Sequence, residues 1–478
     1  MSDHTDQQSL RLSVVVPTAT ILLDASSNIE PSFRKDIPMR TVLIATCLLT
    51  CSSLSAEVFA AEGYWNQFRG PHANGTSEAK GLPLKFAEGS DEVVWKTEVK
   101  GRAWSTPVVW GDQIWVTNAP EIINPEGATN QDSFSKGAKP LKTPLRLSAV
   151  CLDLKTGKVI HDVTVSEVYE PQYTHPTNSL ASPTPWIEKG RIYVHFGTYG
   201  TACIDTKTGK KIWENHELEC HHWRGPGSSP VVYSDLVFLT FDGYDKQFIA
   251  ALNKNTGKLV WKTDRDIDYG TDNGDRKKAY STPQIVKADG REVLVSPFAM
   301  ATIAYEPKTG KPVWRVNHGG MNAGSRPLVG NGLVYISAGS GADSLIAVDP
   351  NGKGDITETN IKWRAGRMVP KRPSQVLVGN RYFMVEDGGV CSGLNALTGE
   401  VLWAKRVPGA YWSSPLYANG HLYCCSQDGK VAVVKAGDEF ELVHETMFDE
   451  GFTASPIVAD NSLILRSHSH IYRIAKQD

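Results

Sequence analysis

Cysteine is scarce in this chain, 8 among 478 residues. Cys47 and Cys51 fall in an apolar leader, leaving Cys151, Cys203, Cys220, Cys391, Cys424 and Cys425. Their spacing excludes a disulfide-dense scaffold. No Cys-x-x-Cys-His occurs, so covalent haem is not indicated. Charge of one sign is lacking too. A net charge of -2 gives no electrostatic reason to expect nucleic acid or an anionic membrane surface as partner. No Ser-His-Asp pattern or Gly-rich phosphate loop stands out. Long apolar runs are also missing. The nearest is TVLIATCLLTCSSLSA after Met39-Arg40, too short and too rich in Thr and Ser for a membrane span. It fits a secretory signal instead, with Val58 and Ala60 as the small residues before a cut. Residues 1–61 are therefore expected to be a polar leader plus signal, with Met39 as the true start, and the mature protein to be exported as a periplasmic or extracellular monomer. An uncleaved anchor is the alternative. A lipid anchor at Cys47 or Cys51 has little support, because each cysteine follows Thr.

What is present is repetition. Ser229 to Lys262, SPVVYSDLVFLTFDGYDKQFIAALNKNTGKLVWK, reads as four short antiparallel strands cut by Asp-Gly and Thr-Gly turns. A unit this small cannot bury both faces of its sheet alone, so it should recur. Aligned on the proline opening each first strand, the units start at Pro107, Pro183, Pro230, Pro283, Pro327, Pro373, Pro415 and Pro456. The first is lengthened by a polar insertion over residues 118–146. Within the third and fourth strands a sharper pattern recurs: a small residue, an Asp, Asn or Glu, Thr-Gly, and a Trp. It ends on Trp213, Trp261, Trp314 and Trp403, with Trp363 after an expanded turn. The acidic or amide residue can cap the turn, the Gly can take positive φ, and the Trp is expected to pack between neighbouring sheets.

The two ends of this array fit each other. The last unit stops after three strands, and Val93 to Thr97, with Trp95, reads as a fourth strand lacking a unit. Pairing them closes the ring and removes its exposed edges. The expected fold is all-β: an eight-bladed β-propeller over residues 91–478 with a terminal strand clasp, preceded by an N-terminal extension over 62–90.

The copies ending TGKKIW, TGKLVW, TGKPVW and TGEVLW resemble the pyrroloquinoline-quinone (PQQ)-like repeat of quinoprotein dehydrogenases and their non-enzymatic relatives, such as BamB-type outer-membrane assembly proteins. The resemblance covers roughly Trp65 to Ile474 and implies an eight-bladed propeller with Trp docking between blades. WNQFRGPHANG, Trp65 to Gly75, also resembles secreted bacterial proteins carrying these repeats. For an enzyme of this family the resemblance implies PQQ with Ca²⁺ as cofactors, and a vicinal disulfide against the quinone. Cys424-Cys425 is such a pair in sequence, but it sits in a strand where alternate residues point to opposite faces, which suits two buried thiols better.

Specific function should lie where the copies disagree, in the loops entering each first strand. These carry Arg102 and Trp104; Tyr173, His175 and Asn178; His221, His222, Trp223 and Arg224; Lys278 and Tyr280; His318, Asn322 and Arg326; Arg364, Arg367, Lys371 and Arg372; Tyr411 and Trp412. Trp104, Tyr280 and Trp412 each precede a proline by three residues and should ring the channel mouth. A basic and aromatic funnel suits a planar anionic ligand, a glycan or a peptide carboxylate; loop packing is the bland account of the same residues. Cys220, His221 and His222 are metal-capable but share one loop. Asp264, Asp266 and Asp268 in DRDIDYGTDNGD suit Ca²⁺ but depart from EF-hand spacing, and a solvated acidic loop is the better account of them. The leading expectation is a binding or scaffold module acting through the inter-blade face on a protein, a glycan or a small anionic ligand. The alternatives are a PQQ-dependent dehydrogenase of alcohols or sugars and a BamB-like assembly factor.

Overall fold

The computed structural model describes residues 64–122, 143–340 and 345–477. The expected leader and most of the insertion, residues 123–142, lie outside the described residues. The strands form eight antiparallel sheets, each of four strands in sequential order, two of them with a fifth short strand at an edge. In blade 3, for example, Val231–Tyr233, Leu236–Asp242, Gln247–Asn253 and Leu259–Asp264 pair in series. Its second and third strands are buried along most of their length, while the fourth exposes Leu259 and Val260.

The ring closes as expected. Val93–Glu98 pairs antiparallel with His470–Ala475, giving blade 8 strands from both ends of the propeller.

The repeated Trp and Gly turn out to be one contact seen from two blades. Trp213 donates its indole N–H to Lys254 O (2.8 Å), Trp261 to Pro307 O (3.0 Å), Trp363 to Ala396 O (2.9 Å), Trp403 to Gly437 O (3.0 Å) and Trp95 to Leu154 O (3.0 Å). Each acceptor lies in the next blade. Where the next blade has a Thr-Gly turn, its Gly sits under the same ring: a Cβ at Gly257 would lie 2.5 Å from Trp213, and one at Gly310 2.5 Å from Trp261. Trp314 is buried without an N–H partner, because the turn facing it in blade 5 is expanded by Gly354–Asp355 and Thr357–Asn360. The turns are capped as their residue types require, Asp153 Oδ1 accepting from the N–H and the hydroxyl of Thr156 (2.8 Å each).

Around the channel a second repeat binds the blades. Thr106 N–H donates to Thr184 Oγ1, Thr184 to Ser229, and Ser229 to Thr282, each at 3.0 Å. Beyond Arg326, whose N–H donates to Ser374 Oγ (2.9 Å), the chain of bonds continues to Ser414, Ser455 and back to Thr106. Arg326 interrupts it, having no hydroxyl to offer Thr282. This ring sets the true starts of two blades. The first strand of blade 2 is Trp186–Glu188 and that of blade 6 is Val376–Val378. The position aligned with Pro107 is therefore Pro185, not Pro183, and Gln375, not Pro373. The hydroxyl residue just before that position fixes the register; the proline does not.

Residues 65–77, within the expected extension, run through the channel. Trp65 exchanges backbone hydrogen bonds with Val109 of blade 1, and Asn66 O accepts from Ile187 N–H of blade 2. Arg69 is 1% exposed and donates to Pro415 O (2.8 Å) and Gln375 O (2.9 Å). Thr76–Ser77 then pairs parallel with the inner strand of blade 7.

Candidate functional site

The channel opens on the inter-blade face into a mouth floored by Phe68 of the threaded segment. Trp104, Tyr280 and Trp412 line the mouth, all three supplied by loops entering a first strand. The hydroxyls of Thr106, Thr184, Ser229, Thr282, Ser414 and Ser455 line its wall. The upper part is a cavity of about 270 Å³ bordered by His175, Asn178, Arg224, Asn322, Lys371 and Arg372.

Its charge is one-sided. No Asp or Glu lines this mouth among the described residues. Arg224 pairs with Asp275 (2.7 Å) and Arg372 with Asp387, both carboxylates lying outside the lining. The Arg372 guanidinium lies 4.0 Å from the centre of the Trp412 ring, a cation–π stack that presents a flat charged plate. Burial, and then the charges of Arg224, Arg372 and Arg102, hold the His175 imidazole below its ordinary value, so a neutral ring faces the cavity at neutral pH. Two polar atoms here are buried without a partner, Trp104 Nε1 and Asn322 Oδ1. A donor and an acceptor left unpaired at a mouth are groups that a ligand or water would satisfy.

Not every residue expected at this face reaches it. Arg326, 2% exposed, is a tie: it donates to Gln67 Oε1 (2.8 Å) and Phe68 O (2.6 Å), anchoring the threaded segment. Burial and the nearby Arg69 charge bring its guanidinium down to about 9. His222 is buried, with Nε2 accepting from Thr198 N–H (3.1 Å). His318 is buried against Thr302, and desolvation pushes its imidazole down to about 4. Tyr411 is a core residue of blades 6 and 7. His222 stacks on Phe241, His318 bonds Thr302, Tyr411 joins the core of blades 6 and 7, and Arg326 is covered by the threaded segment. Arg102 donates to the His175 and Pro176 carbonyls and so shapes the rim. Arg367 is exposed outside the cavity, and His221 and Trp223 sit beside it with Tyr173 and Tyr244.

Sequence reasoning missed the hydroxyl wall and Phe68. The wall had a signal, the Ser or Thr preceding most anchor positions. Phe68 had none, since the partners of its segment are spread over blades 1, 2, 5, 6 and 7, which no local pattern encodes.

The metal candidates do not assemble. Asp264, Asp266 and Asp268 are exposed, and among the described residues no three His, Cys, Asp or Glu side chains converge as an ion site. Arg265, between them, turns inward to pair with buried Asp242 (2.9 Å), which splays the aspartates outward. Cys220 Sγ lies 3.6 Å from both ring nitrogens of His222, and among the described residues no third metal-capable side chain joins them. Cys424 and Cys425 are free thiols on opposite faces of their strand, one in the core between blades 6 and 7, the other in that between blades 7 and 8.

Comparisons with known proteins agree with this architecture. The quinoprotein ethanol dehydrogenase of Pseudomonas aeruginosa is 32% identical over 143 residues, 27% of this chain and 21% of the dehydrogenase, so the chain spans only a fifth of that relative. The outer membrane protein assembly factor BamB of Yersinia pestis is 22% identical over 330 residues, 66% of this chain and 77% of that protein. Among solved structures, the quinohemoprotein alcohol dehydrogenase from Comamonas testosteroni shares the fold, with a TM-score of 0.58 at 12% identity over 88% of this chain and 82% of that one. The model of the family described as outer membrane protein assembly factor BamB matches residues 145–263 and 245–478. The blades and their inter-blade Trp contacts thus have a family: this chain belongs to the BamB family of PQQ-like-repeat propellers.

Proposed function

We propose that this chain is an exported binding propeller that captures an anionic group, carried by a small ligand or a partner protein, in the channel mouth. The observation that carries this reading is the cavity walled by Trp412, Tyr280, Arg224 and Arg372 with no carboxylate in its lining. The guanidinium groups favour a planar carboxylate, the rings can pack against the apolar part of its carrier, and the floor at Phe68 limits how deep it can go. The relatives' names bring two further roles, quinone-dependent oxidation and outer-membrane protein assembly. The mouth suits the acidic rim of a quinone but not the ion and base that such an oxidation needs, because the described lining has no carboxylate to supply either. An assembly role would use the same face to hold a protein carboxylate.

Tryptophan fluorescence tests the reading directly, since Trp104 and Trp412 line the mouth. The protein should be titrated with PQQ, uronic-acid oligosaccharides and short peptides with free C-termini. At least one class should change the emission, and Arg372→Ala with Trp412→Ala should weaken its binding at least tenfold with the melting curve unmoved. No response to any of them, or equal binding by the double variant, rejects the reading. Dye reduction with PQQ, Ca²⁺ and an alcohol or aldose panel would restore the enzyme.

A further inference from the structure

Beside the mouth, Trp223 occupies a conformation that its side chain should resist. Its φ is +60°, in the left-handed region, and Arg224 N–H donates to His222 O at 2.6 Å across it. Positive φ with a bond spanning three residues is a γ-turn of the strained kind, and a bulky residue there is an outlier. The turn is held from several sides. His221 N–H donates to Asp245 Oδ1 (2.6 Å), His222 N–H to Gln172 Oε1 (2.8 Å) and Asn178 Nδ2 to Arg224 O (2.8 Å). Beneath it Lys278, fully buried, donates to His222 O. Strain of this kind persists only where the surroundings over-determine it, and it concentrates where a side chain has to be presented.

What is presented is a shelf of rings. Trp223 lies 5.5 Å from Tyr173 and 5.5 Å from Tyr244, tilted 53° and 45° to them. Tyr244 is 38% exposed, and Tyr173 and Trp223 are half-buried. The shelf draws on loops of blades 2 and 3 and lies outside the lining of the mouth. Its charge surroundings narrow the occupant. Ring faces carry negative quadrupole density, which disfavours an anion lying on them. The nearby guanidinium groups are already paired, Arg224 with Asp275 and Arg372 with Asp387, and offer a ligand little net charge. Lys246 and Asp245 both adjoin Tyr244, and Asp245 Oδ1 accepts the N–H groups of His221 and Lys246, so neither sign of charge dominates beside the rings. An uncharged ring with polarised C–H bonds remains, with the second Asp245 oxygen available for a hydroxyl.

We propose that Trp223, flanked by Tyr173 and Tyr244, is a carbohydrate-stacking platform that takes a neutral pyranose, a site separate from the anion-binding mouth. Calorimetric titration of the full chain with cellohexaose, chitohexaose and laminarihexaose, with tetramethylammonium as a parallel arm, tests it. At least one hexasaccharide should bind, and Tyr244→Ala should weaken it at least fivefold. Trp223→Gly should weaken it at least tenfold while keeping the fold, because Gly accepts the φ that Trp tolerates poorly. Absence of binding by all three sugars overturns the platform. So does sugar binding that both variants retain, and so does Trp223-dependent binding of tetramethylammonium alone, which would make the shelf a cation cage.

Discussion

At the scale of the residue, the informative positions are those where one side chain serves two blades. The Thr-Gly turns illustrate it. Sequence reasoning assigned the Gly to positive φ, and Gly310 has φ +69°, but the second reason was invisible. A Cβ there would meet Trp261 Cε3 at 2.5 Å and Thr263 Oγ1 at 2.7 Å, both from the preceding blade. Gly310→Ala should therefore destabilise by about 1–3 kcal/mol through overpacking added to backbone strain. Gly332→Ala, also at positive φ but with no neighbour within reach of its Cβ, isolates the backbone part. Urea unfolding of the two variants measures the difference; equal losses would mean the Trp contact contributes nothing. The same limit explains the site residues. Arg326 and Arg372 are both loop arginines in the sequence, and only the fold shows that one ties the threaded segment while the other faces the cavity.

Among the elements, the strands were the most legible. Apolar runs bounded by Asp-Gly and Thr-Gly located every strand of blade 3, because period-two burial and turn chemistry are local properties. Strand starts in blades 2 and 6 were displaced by two residues because a hydroxyl from the neighbouring blade sets them. Residues 65–77 were the least legible element. Their partners sit in blades 1, 2, 5, 6 and 7, so no local pattern encodes them. Arg69 holds this element in place. Arg69→Ala would leave the buried carbonyls of Pro415 and Gln375 without that donor, at a cost of about 1–3 kcal/mol for each that stays unsatisfied. With the segment loosened, Phe68 should leave the mouth floor. Limited proteolysis should then cut between Trp65 and Gly75 in the variant and spare the parent; unchanged resistance would show that Trp65 and Thr76–Ser77 suffice.

For the molecule as a whole, closure is the governing event. The Val93–Glu98 strand covers the His470–Ala475 edge, and Trp95 fastens blade 8 to blade 1 through Leu154. Shortening the chain to begin at Val99 should expose that edge and remove the Trp contact together, giving association that grows with concentration. Light scattering after gel filtration would show it, and a monodisperse monomer would mean the clasp is dispensable. The sequence alone determined the blade count, the antiparallel order, the inter-blade Trp set and the closure, since each follows from local periodicity repeated eight times. Tertiary structure alone decided which loop side chains converge. The floor at Phe68, the hydroxyl wall, the inward fate of His222, His318, Arg326 and Tyr411, and the strained presentation of Trp223 all depend on contacts between blades or within folded loops. Such contacts join residues far apart in the chain, and no single-sequence pattern records them. The scarcity of cysteine fits the same closure, since a ring that buries its own edges needs no disulfide staples.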